Sequence, residues 1–336
     1  MKSTNLVEMA PIILAEIKKA KSVLLSCHPS PDPDCVGSAL AMKFAIESLG
    51  IKATVIKGDS EIPQGFMHFP GAKDIVMKNF GEVDLKDYDL YIAADIAAVS
   101  QVSRVKPVVF PLPIKSIVID HHPSNTGFAD MNLIVPESPA TAQVIYLLAK
   151  EWGMNISSEM AANIFVGIYT DTGGLKYSGT TIKTYEIMTD LVSKCPDFSL
   201  LIQKMENSES PDKLTLYGLA LGSIEVFLNN SLAISTVSNA DLVTKKIAET
   251  SVSTSIISSM MKVVDQWKIV ASLIELEPNK IKCSFRTNDV ENYPVGPISS
   301  FFGGGGHKAA AGAIINASLE EAKKLIVAKA KELYNL

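Results

Sequence analysis

The sequence predicts an α/β protein with a parallel sheet in its first half, followed by a smaller α/β domain. Short, nearly continuous apolar runs alternate with segments of helical period, which is typical of buried parallel strands joined by helices. The predicted strands are "SVLLSC", "KATVIK", "DLYIAAD" and "SIVIDHH", at 22–27, 52–57, 89–95 and 116–122. Helices should cover both faces of such a sheet. A chain of 336 residues is long for one domain, so two are expected.

The helices between these strands follow from apolar periodicity and from start signals. The pattern predicts helices at 37–49, 157–169 and 180–193. A further helix is expected at 138–152, where Ser138 can serve as N-cap and Pro139 would occupy the first helical position.

The alternation stops after residue 193, in a segment that carries prolines and a polar cluster, "KCPDFSLLIQKMENSESPDK". We expect this to be a linker at 194–212, between domains at 1–193 and 213–336. The second domain should contain a helix at 213–228, a strand at 231–237, a hairpin around the turn "EPN" and a closing helix from residue 318.

Composition restricts the class of protein. The chain is 47% hydrophobic with a net charge of −5, which argues against a long basic groove for duplex nucleic acid. Its four cysteines are scattered without a CxxC pair, which fits reduced thiols. No apolar run approaches the roughly 20 residues that a bilayer requires, and the amphipathic N-terminus lacks a signal-peptide pattern. We therefore expect a cytoplasmic protein with no membrane partner.

Histidines and aspartates recur at the ends of the predicted strands and of one helix. If the strands are neighbours in one parallel sheet, their carboxyl ends meet and these side chains converge on one crevice. Each motif has a simpler interpretation by itself: a turn for the first, a strand terminator for Asp95, a glycine-stopped helix end for "TDTGG". Their joint placement favours a metal site made of His28, Asp32, Asp34, Asp95, His121 and Asp171.

The proposed ligands indicate a reaction class. Four clustered carboxylates repel one another and raise one another's pKa unless cations neutralise them. Carboxylates with imidazoles suit Mn²⁺ or a similar divalent ion. The number of ligands exceeds the share of one ion, so we expect two ions bridged by a carboxylate. Such a pair can hold a bridging hydroxide and the oxygens of an in-line phosphoryl displacement.

The second half contains one glycine-rich motif, "SFFGGGGHKAAAG" at 300–312. It is neither a Walker A loop nor a dinucleotide fingerprint, and by itself it could be a flexible turn. Exposed backbone N–H groups let an anion or a base approach closely. Arg286, on a predicted strand, could grip a phosphate bidentately. The candidate substrate-binding residues are Arg286, Gly304, Gly305, Gly306, His307 and Lys308.

These motifs together resemble the DHH phosphoesterase family, and specifically its stand-alone members with a DHHA1 domain. Those members are short-oligoribonucleotide hydrolases (nanoRNases) that also act on 3′-phosphoadenosine 5′-phosphate. The resemblance runs from about residue 20 to 330 and includes "HPSPDPDCVGSAL", Asp95, "IVIDHHPSN", "YTDTGGLKYSGTT", "SFRTN" and "FFGGGGHKAAAG".

The resemblance assigns roles to the candidate residues. His28, Asp32 and Asp95 would bind one metal ion, and Asp34, His121 and Asp171 the second, with Asp95 shared. His122 would contact the phosphate and assist the leaving oxygen, and Asp120 would orient a neighbouring imidazole. The DHHA1 domain, with Arg286 and the glycine motif, would bind substrate across a cleft.

The chain departs from the family pattern at two places. Pro33 stands where the first motif commonly has glycine, although the ligands around it are intact. The family often has an arginine six residues after its second-motif aspartate, and here that position is Gln101. Either Arg104, three residues further on, takes its place, or this phosphate contact is missing.

The expected function is thus hydrolysis of short single-stranded oligoribonucleotides and nucleotides, with two Mn²⁺ ions and with Mg²⁺ or Co²⁺ as alternative metals. Three alternatives stay open: a phosphodiesterase for linear or cyclic dinucleotides, a manganese pyrophosphatase or exopolyphosphatase, and a nucleotide-sensing module without activity. The pyrophosphatase should carry a dense Arg/Lys cluster near its C-terminus, which this chain lacks. A homodimer is left open, and His68 has no assigned role.

Overall fold

The computed structural model describes residues 1–177, 179–248 and 251–336. The chain forms two compact units, Met1–Ser208 and Glu209–Leu336. Each has its own sheet and its own hydrophobic core. Within the described residues, no helix has both the length and the hydropathy that crossing a membrane requires.

The first unit contains a six-stranded sheet in which every pairing is parallel, as predicted. The order is β1-β6-β5-β4-β2-β3, so the three strands expected to carry site residues, β2, β4 and β5, are adjacent. β1 and β6 were not predicted, because they are short. The strands are β1 (Lys2–Ser3), β2 (Ser22–Ser26), β3 (Lys52–Ile56), β4 (Leu90–Ala94), β5 (Lys115–Asp120) and β6 (Met131–Ile134).

One face of this sheet is covered by the α-helices of the unit, which share its main core. The opposite face, around the fully buried Tyr91, is covered by short 3₁₀ turns and by loop residues such as Phe80 and Phe110, where α-helices were expected. The helices are α1 (Leu6–Lys19), α2 (Pro33–Ser48), α3 (Thr141–Glu151), α4 (Ser158–Asp171), α5 (Ile182–Lys194) and α6 (Phe198–Glu206).

Two details of the sequence prediction are wrong here. Helix α3 begins at Thr141 and has Ala140 as its N-cap, so Ser138 is not the cap and Pro139 is not the first helical residue. The expected linker at 194–212 contains helix α6, because Leu201 and Met205 bury their side chains in the first core.

The second unit is a mixed sheet of order β11-β12-β10-β9-β8-β7, in which only β8 and β9 pair in parallel. The predicted hairpin is confirmed as β9 and β10. Helix α7 ends before the predicted residue 228, because Glu225 begins a strand. The strands are β7 (Glu225–Phe227), β8 (Leu232–Val237), β9 (Ile269–Glu277), β10 (Lys280–Thr287), β11 (Gly305–Gly306) and β12 (Ala310–Ile315).

The helices of this unit divide between the two faces of the sheet. One core contains residues of α10 and α11, and the other contains residues of α7, α8 and α9. The helices are α7 (Pro211–Gly222), α8 (Asn239–Thr244), α9 (Thr254–Met261), α10 (Gly296–Phe301) and α11 (Leu319–Tyr334).

Candidate metal centre

The carboxyl ends of β2, β4 and β5 bring three of the predicted residues together. His28, Asp95 and His121 each follow one of these strands directly or within two residues. The Nε2 atom of His28 lies 3.9 Å from Oδ2 of Asp95, and the Nε2 atom of His121 lies 3.7 Å from Oδ1. Each oxygen of the Asp95 carboxylate therefore faces a different imidazole ring.

Asp95 is held in this position by its backbone and by a helix start. Its φ is 62°, in the left-handed region that aspartate tolerates better than most residues. Its backbone N–H donates to the carbonyl of Ile119 on β5 at 3.0 Å. The hydroxyl of Thr141 donates to Oδ1 of Asp95 at 2.9 Å. The bend at the end of β4 turns the carboxylate toward the neighbouring strand ends.

The first turn of α2 carries Asp32 and Asp34 on either side of Pro33. Asp32 is the N-cap and accepts a hydrogen bond from the Cys35 N–H at 2.9 Å. Pro33, at the first helical position, presets the backbone for the helix. Oδ2 of Asp32 lies 3.4 Å from Nε2 of His28. Because the start of a helix favours negative charge, this turn suits both carboxylates.

Asp34 is fully buried and serves as a remote cap for another helix. The N–H groups of Thr141 and Ala142, at the start of α3, donate to its two oxygens at 2.7 and 2.9 Å. A Cβ atom at Gly167 on α4 would lie 2.6 Å from Oδ1 of Asp34. Only glycine leaves room at that point, so three helices meet at this carboxylate.

His121 and Asp171 complete a second group with Asp34, since one ligand atom from each lies within 4.8 Å of the others. Nε2 of His121 is 3.3 Å from Oδ2 of Asp171. Its Nδ1 faces the carbonyl of Ser138 at 3.1 Å, so Nδ1 carries the proton. Among the described residues, the buried Nε2 has no hydrogen-bond partner. Burial and the neighbouring His122 lower the pKa of His121, which leaves a neutral ring with a free lone pair at the centre of the cluster.

The carboxylates also favour the binding of a positive charge. Burial, with the charge of neighbouring carboxylates, raises the pKa values of Asp34 and Asp95 well above their ordinary range. Burial and Asp32 raise the pKa of Asp171 to about 7. A divalent cation would remove this repulsion and use the lone pair of His121. Carboxylate oxygens with imidazole nitrogens therefore fit a divalent ion.

His122 lies beside the cluster and is bound to Asp120. Its Nδ1 donates to Oδ1 of Asp120 at 2.8 Å, and its side chain is 41% exposed. The hydrogen bond to Asp120 outweighs burial and raises the pKa of His122. Asp120 also accepts from Asn125 at 2.5 Å and from the His121 N–H at 2.9 Å. Burial would raise the pKa of Asp120, but the bonds from His122 and Asn125 lower it. Asp120 thus orients the ring of His122 through Nδ1, and the other ring nitrogen, Nε2, is directed away from Asp120.

Gln101 and Arg104, where the chain departs from the family pattern, make contacts outside the cluster. The side-chain oxygen of Gln101 accepts from the Ala97 N–H at 2.8 Å, in the loop after Asp95. The backbone N–H of Arg104 donates to Asp59 at 2.6 Å, and Arg104 is exposed. Within the described part of the chain, no contact joins the guanidinium of Arg104 to the cluster.

Arg286 lies in the second unit and is half-buried. Its guanidinium donates to the hydroxyl of Ser284 and to the carbonyl of Phe285, each at 3.0 Å. Burial lowers its pKa. Arg286 pairs with Ala310 across β10 and β12, and the His307 N–H donates to the Ala310 carbonyl at 2.8 Å. Arg286 therefore lies next to the strand β12 that follows the His307 turn.

The glycines of the motif differ in how much space surrounds them. A Cβ atom on Gly304 would meet the Gly312 carbonyl oxygen at 2.2 Å, so this glycine is required by packing. Gly305 has open space around it, and Gly306 has a φ of 140°. Gly305, His307 and Lys308 are exposed. The turn is exposed, but the N–H groups of Gly304 and His307 donate to the carbonyls of Ser299 and Ala310.

Sequence reasoning missed the residues that support the cluster. Thr141 and Asn125 orient Asp95 and Asp120, and the Ser138 carbonyl orients His121. Asn125 stands five residues after Asp120 within "DHHPSN", and that proximity is the one signal that could have indicated it.

The fold and the cluster define a class: two-unit α/β proteins with a carboxylate–imidazole centre at the carboxyl edge of a parallel sheet. Within that class, the chain carries a DHH domain followed by a DHHA1 domain. Residues 22–168 match the DHH family N-terminal domain, and residues 229–335 match the DHHA1 domain. The resemblance seen in the sequence is confirmed.

Similar proteins match nearly the whole chain. A probable bifunctional oligoribonuclease and PAP phosphatase NrnA from Streptococcus mutans is 26% identical, over 90% of this chain and 92% of that protein. The protein named bifunctional oligoribonuclease and PAP phosphatase NrnA from Thermus thermophilus is 24% identical, over 95% of this chain and 93% of its own length. An exopolyphosphatase-related protein from Bacteroides fragilis has the same fold, with a TM-score of 0.87 at 25% identity and 98% coverage of both chains.

Proposed function

We propose that this protein is a divalent-metal-dependent phosphoesterase that hydrolyses short oligoribonucleotides to mononucleotides. It also removes the 3′-phosphate of 3′-phosphoadenosine 5′-phosphate. The observation that carries the proposal is the buried Nε2 of His121, which has no hydrogen-bond partner among the described residues and lies among the carboxylates of Asp34, Asp95 and Asp171. The two NrnA relatives, which match nine tenths of the chain or more, support the substrate class.

Two ions, most favourably Mn²⁺, would occupy the cluster. His28, Asp32 and Asp95 would hold one, and Asp34, His121 and Asp171 the other. Asp95 would be shared, because its two oxygens face His28 and His121 separately. When bound, the ions would neutralise the carboxylates, polarise the phosphoryl group and activate a water molecule.

His122 holds and moves a proton in this scheme. Its bond to Asp120 fixes the ring and favours the protonated form, in which Nε2–H can donate to the substrate. As a hydrogen-bond donor, His122 would stabilise negative charge on a phosphoryl oxygen. As a general acid, it would transfer its Nε2 proton to the oxygen that leaves. Asp120 acts only through His122 and is a positioning residue.

Arg286 and the glycine hairpin would bind the substrate. The guanidinium is fixed from behind by Ser284 and Phe285, which reduces the entropy lost when it grips a phosphate. The exposed backbone at Gly305, with His307 and Lys308, would contact the remaining part of the nucleotide. Arg104 would attract the negatively charged substrate only at long range, without a direct contact.

A substrate comparison tests the proposal. Purified protein with Mn²⁺ should hydrolyse a 5′-phosphorylated diribonucleotide and 3′-phosphoadenosine 5′-phosphate much faster than pyrophosphate, with mononucleotides as products on chromatography. A cyclic dinucleotide and an oligonucleotide of about twenty residues complete the panel. Preference for pyrophosphate, or for the cyclic dinucleotide, would replace the proposal with one of the alternative phosphoesterase activities. Absence of turnover on every substrate would favour a sensing module.

A further inference from the structure

The turn that follows Asp171 carries an exposed aromatic ring. Helix α4 ends at Asp171, and the chain continues as "TGGLKY" to Tyr177. Tyr177 is 61% exposed. A single exposed apolar side chain needs no explanation by itself. This ring differs because a strained backbone holds it beside the candidate metal centre.

The backbone of this turn is left-handed at three consecutive residues. The φ angles of Gly173, Gly174 and Leu175 are 59°, 70° and 66°. Glycine adopts this region freely, whereas leucine is strained there. The turn is closed on the carbonyl of Thr172, which accepts from the N–H groups of Lys176 and Tyr177 at 2.9 and 3.0 Å. Backbone strain of this kind occurs mostly at functional sites, and here it directs the chain back toward the end of α4.

The ring of Tyr177 lies against the backbone of Gly173. A Cβ atom at Gly173 would be 2.5 Å from two of the ring carbons, so only glycine leaves room for the ring at this place. Consecutive Cα atoms are 3.8 Å apart, so the Cα of Gly173 is at most about 8 Å from that of Asp171. Asp171 is a candidate metal ligand, and its Oδ2 lies 3.3 Å from Nε2 of His121. The ring is therefore within reach of a nucleotide whose phosphate lies at the metal centre.

A cation stands directly beside the ring. Lys176 is exposed, and no carboxylate among the described residues pairs with its ammonium group. Sites for single-stranded nucleic acid combine aromatic rings, on which bases stack, with cations that attract the phosphates. A simple anion would not use the ring, and an apolar partner would not use the lysine. A short nucleotide chain uses both.

We propose that Tyr177 stacks on a base of the oligonucleotide substrate while the phosphate to be cleaved lies at the metal centre. The inference rests on the proposed function and refines it, because it gives the first unit a contact with a base. Every base has a flat face on which a ring can stack, so such a contact tolerates any sequence. The substrates would then be short single strands of mixed sequence.

The test combines substrates that lack one base with variants that lack the ring. The substrates are the 5′-phosphorylated diadenylate pApA and two versions of it, each with one adenine replaced by hydrogen. With the full chain and Mn²⁺, loss of the stacked base should raise KM about tenfold or more, with kcat nearly unchanged. Tyr177→Leu should raise KM for pApA by the same factor and leave KM for that abasic substrate unchanged.

Matched variants separate stacking from other effects. Tyr177→Phe keeps the ring and should retain the KM values of the unmodified protein. Tyr185→Leu, the same change at a second exposed tyrosine on α5, should retain them too. Tyr177→Leu should keep its melting temperature, because the side chain that it replaces is exposed. If a folded Tyr177→Leu keeps the KM of the unmodified protein for pApA, the inference is overturned.

Failure of this inference can be distinguished from failure of the proposed function. If the unmodified protein does not hydrolyse pApA, the proposed function fails by that result alone. The same ligands can then be titrated calorimetrically with Mn²⁺ present. Preference for pApA over an abasic ligand, abolished by Tyr177→Leu, would still support stacking, whereas equal binding or none would overturn it. A changed oligomeric state of Tyr177→Leu in sedimentation velocity, with unaltered KM, would assign the ring to an interface between copies and also overturn it.

Discussion

The two units present their candidate functional groups in opposite ways. In the first, Asp34 and Asp95 are buried and receive hydrogen bonds from the start of α3. In the second, Gly305 and His307 are exposed on a hairpin, and Arg286 is half-buried. A buried, hydrogen-bonded carboxylate has little freedom to move and compensate for a lost neighbour, whereas an exposed hairpin can adjust. We therefore expect all-or-none effects in the first unit and graded effects in the second.

The largest effect should come from Asp95→Asn. Removing the shared charge should lower kcat by more than about a thousandfold, since metal ions contribute several kcal/mol to transition-state stabilisation. The measurement is kcat on the diribonucleotide with Mn²⁺. Asparagine also tolerates the left-handed backbone at this position.

Melting in EDTA is the control for this variant. Burial and Asp34 hold the pKa of Asp95 well above its ordinary value, so ionised Asp95 destabilises the metal-free protein at neutral pH. Asp95→Asn should therefore melt at a higher temperature than the unmodified protein in EDTA. Added Mn²⁺ should raise the melting temperature of the unmodified protein more than that of the variant. Full turnover by Asp95→Asn would show that the centre lies elsewhere.

His122→Asn comes next. Loss of a proton donor should lower kcat by about 10²–10⁴-fold and change KM little. The matched control is His68→Asn, the same change at an exposed histidine in the first unit, which should keep full activity. If kcat of His122→Asn stays intact, the proton comes from another group.

Arg286→Ala should have a smaller and different effect. A hydrogen bond to a charged group contributes about 1.5–3 kcal/mol, so KM should rise roughly tenfold to a hundredfold with kcat nearly unchanged. Lys282→Ala, an exposed cation on the same strand, is the control and should change neither constant. A collapse of kcat at constant KM would contradict a binding role for Arg286.

The smallest effects compare two adjacent glycines. Gly304→Ala should destabilise the second unit by about 1–3 kcal/mol, because its Cβ would meet the Gly312 carbonyl at 2.2 Å. Gly305→Ala, with open space around it, should stay within about 0.5 kcal/mol. Urea unfolding of each variant provides the free energies. Equal destabilisation would mean that the hairpin packs differently.

The strand ends could be predicted because each buried run stops at a charged or imidazole side chain. Once β2, β4 and β5 are neighbours, the convergence of His28, Asp95 and His121 follows from parallel geometry. The start of α3 could not be predicted, since its cap is Asp34, 107 residues earlier. A local pattern at Ser138 and Pro139 cannot reveal a partner from another helix. Helix α6 was missed because its apolar residues stand between prolines and polar residues that resemble a linker.

The two bonds from α3 to Asp34 have a consequence for interpreting genomes. A descendant of this protein that loses hydrolysis still needs an acceptor at position 34, or α3 loses its cap and the first core is disturbed. Asp171, 29% exposed at the end of α4, has no comparable structural duty among its described contacts. A hydrogen-bond acceptor at position 34 should therefore persist in inactive lineages, while position 171 drifts. Activity in newly sequenced relatives is better judged from the second of these positions than from the first.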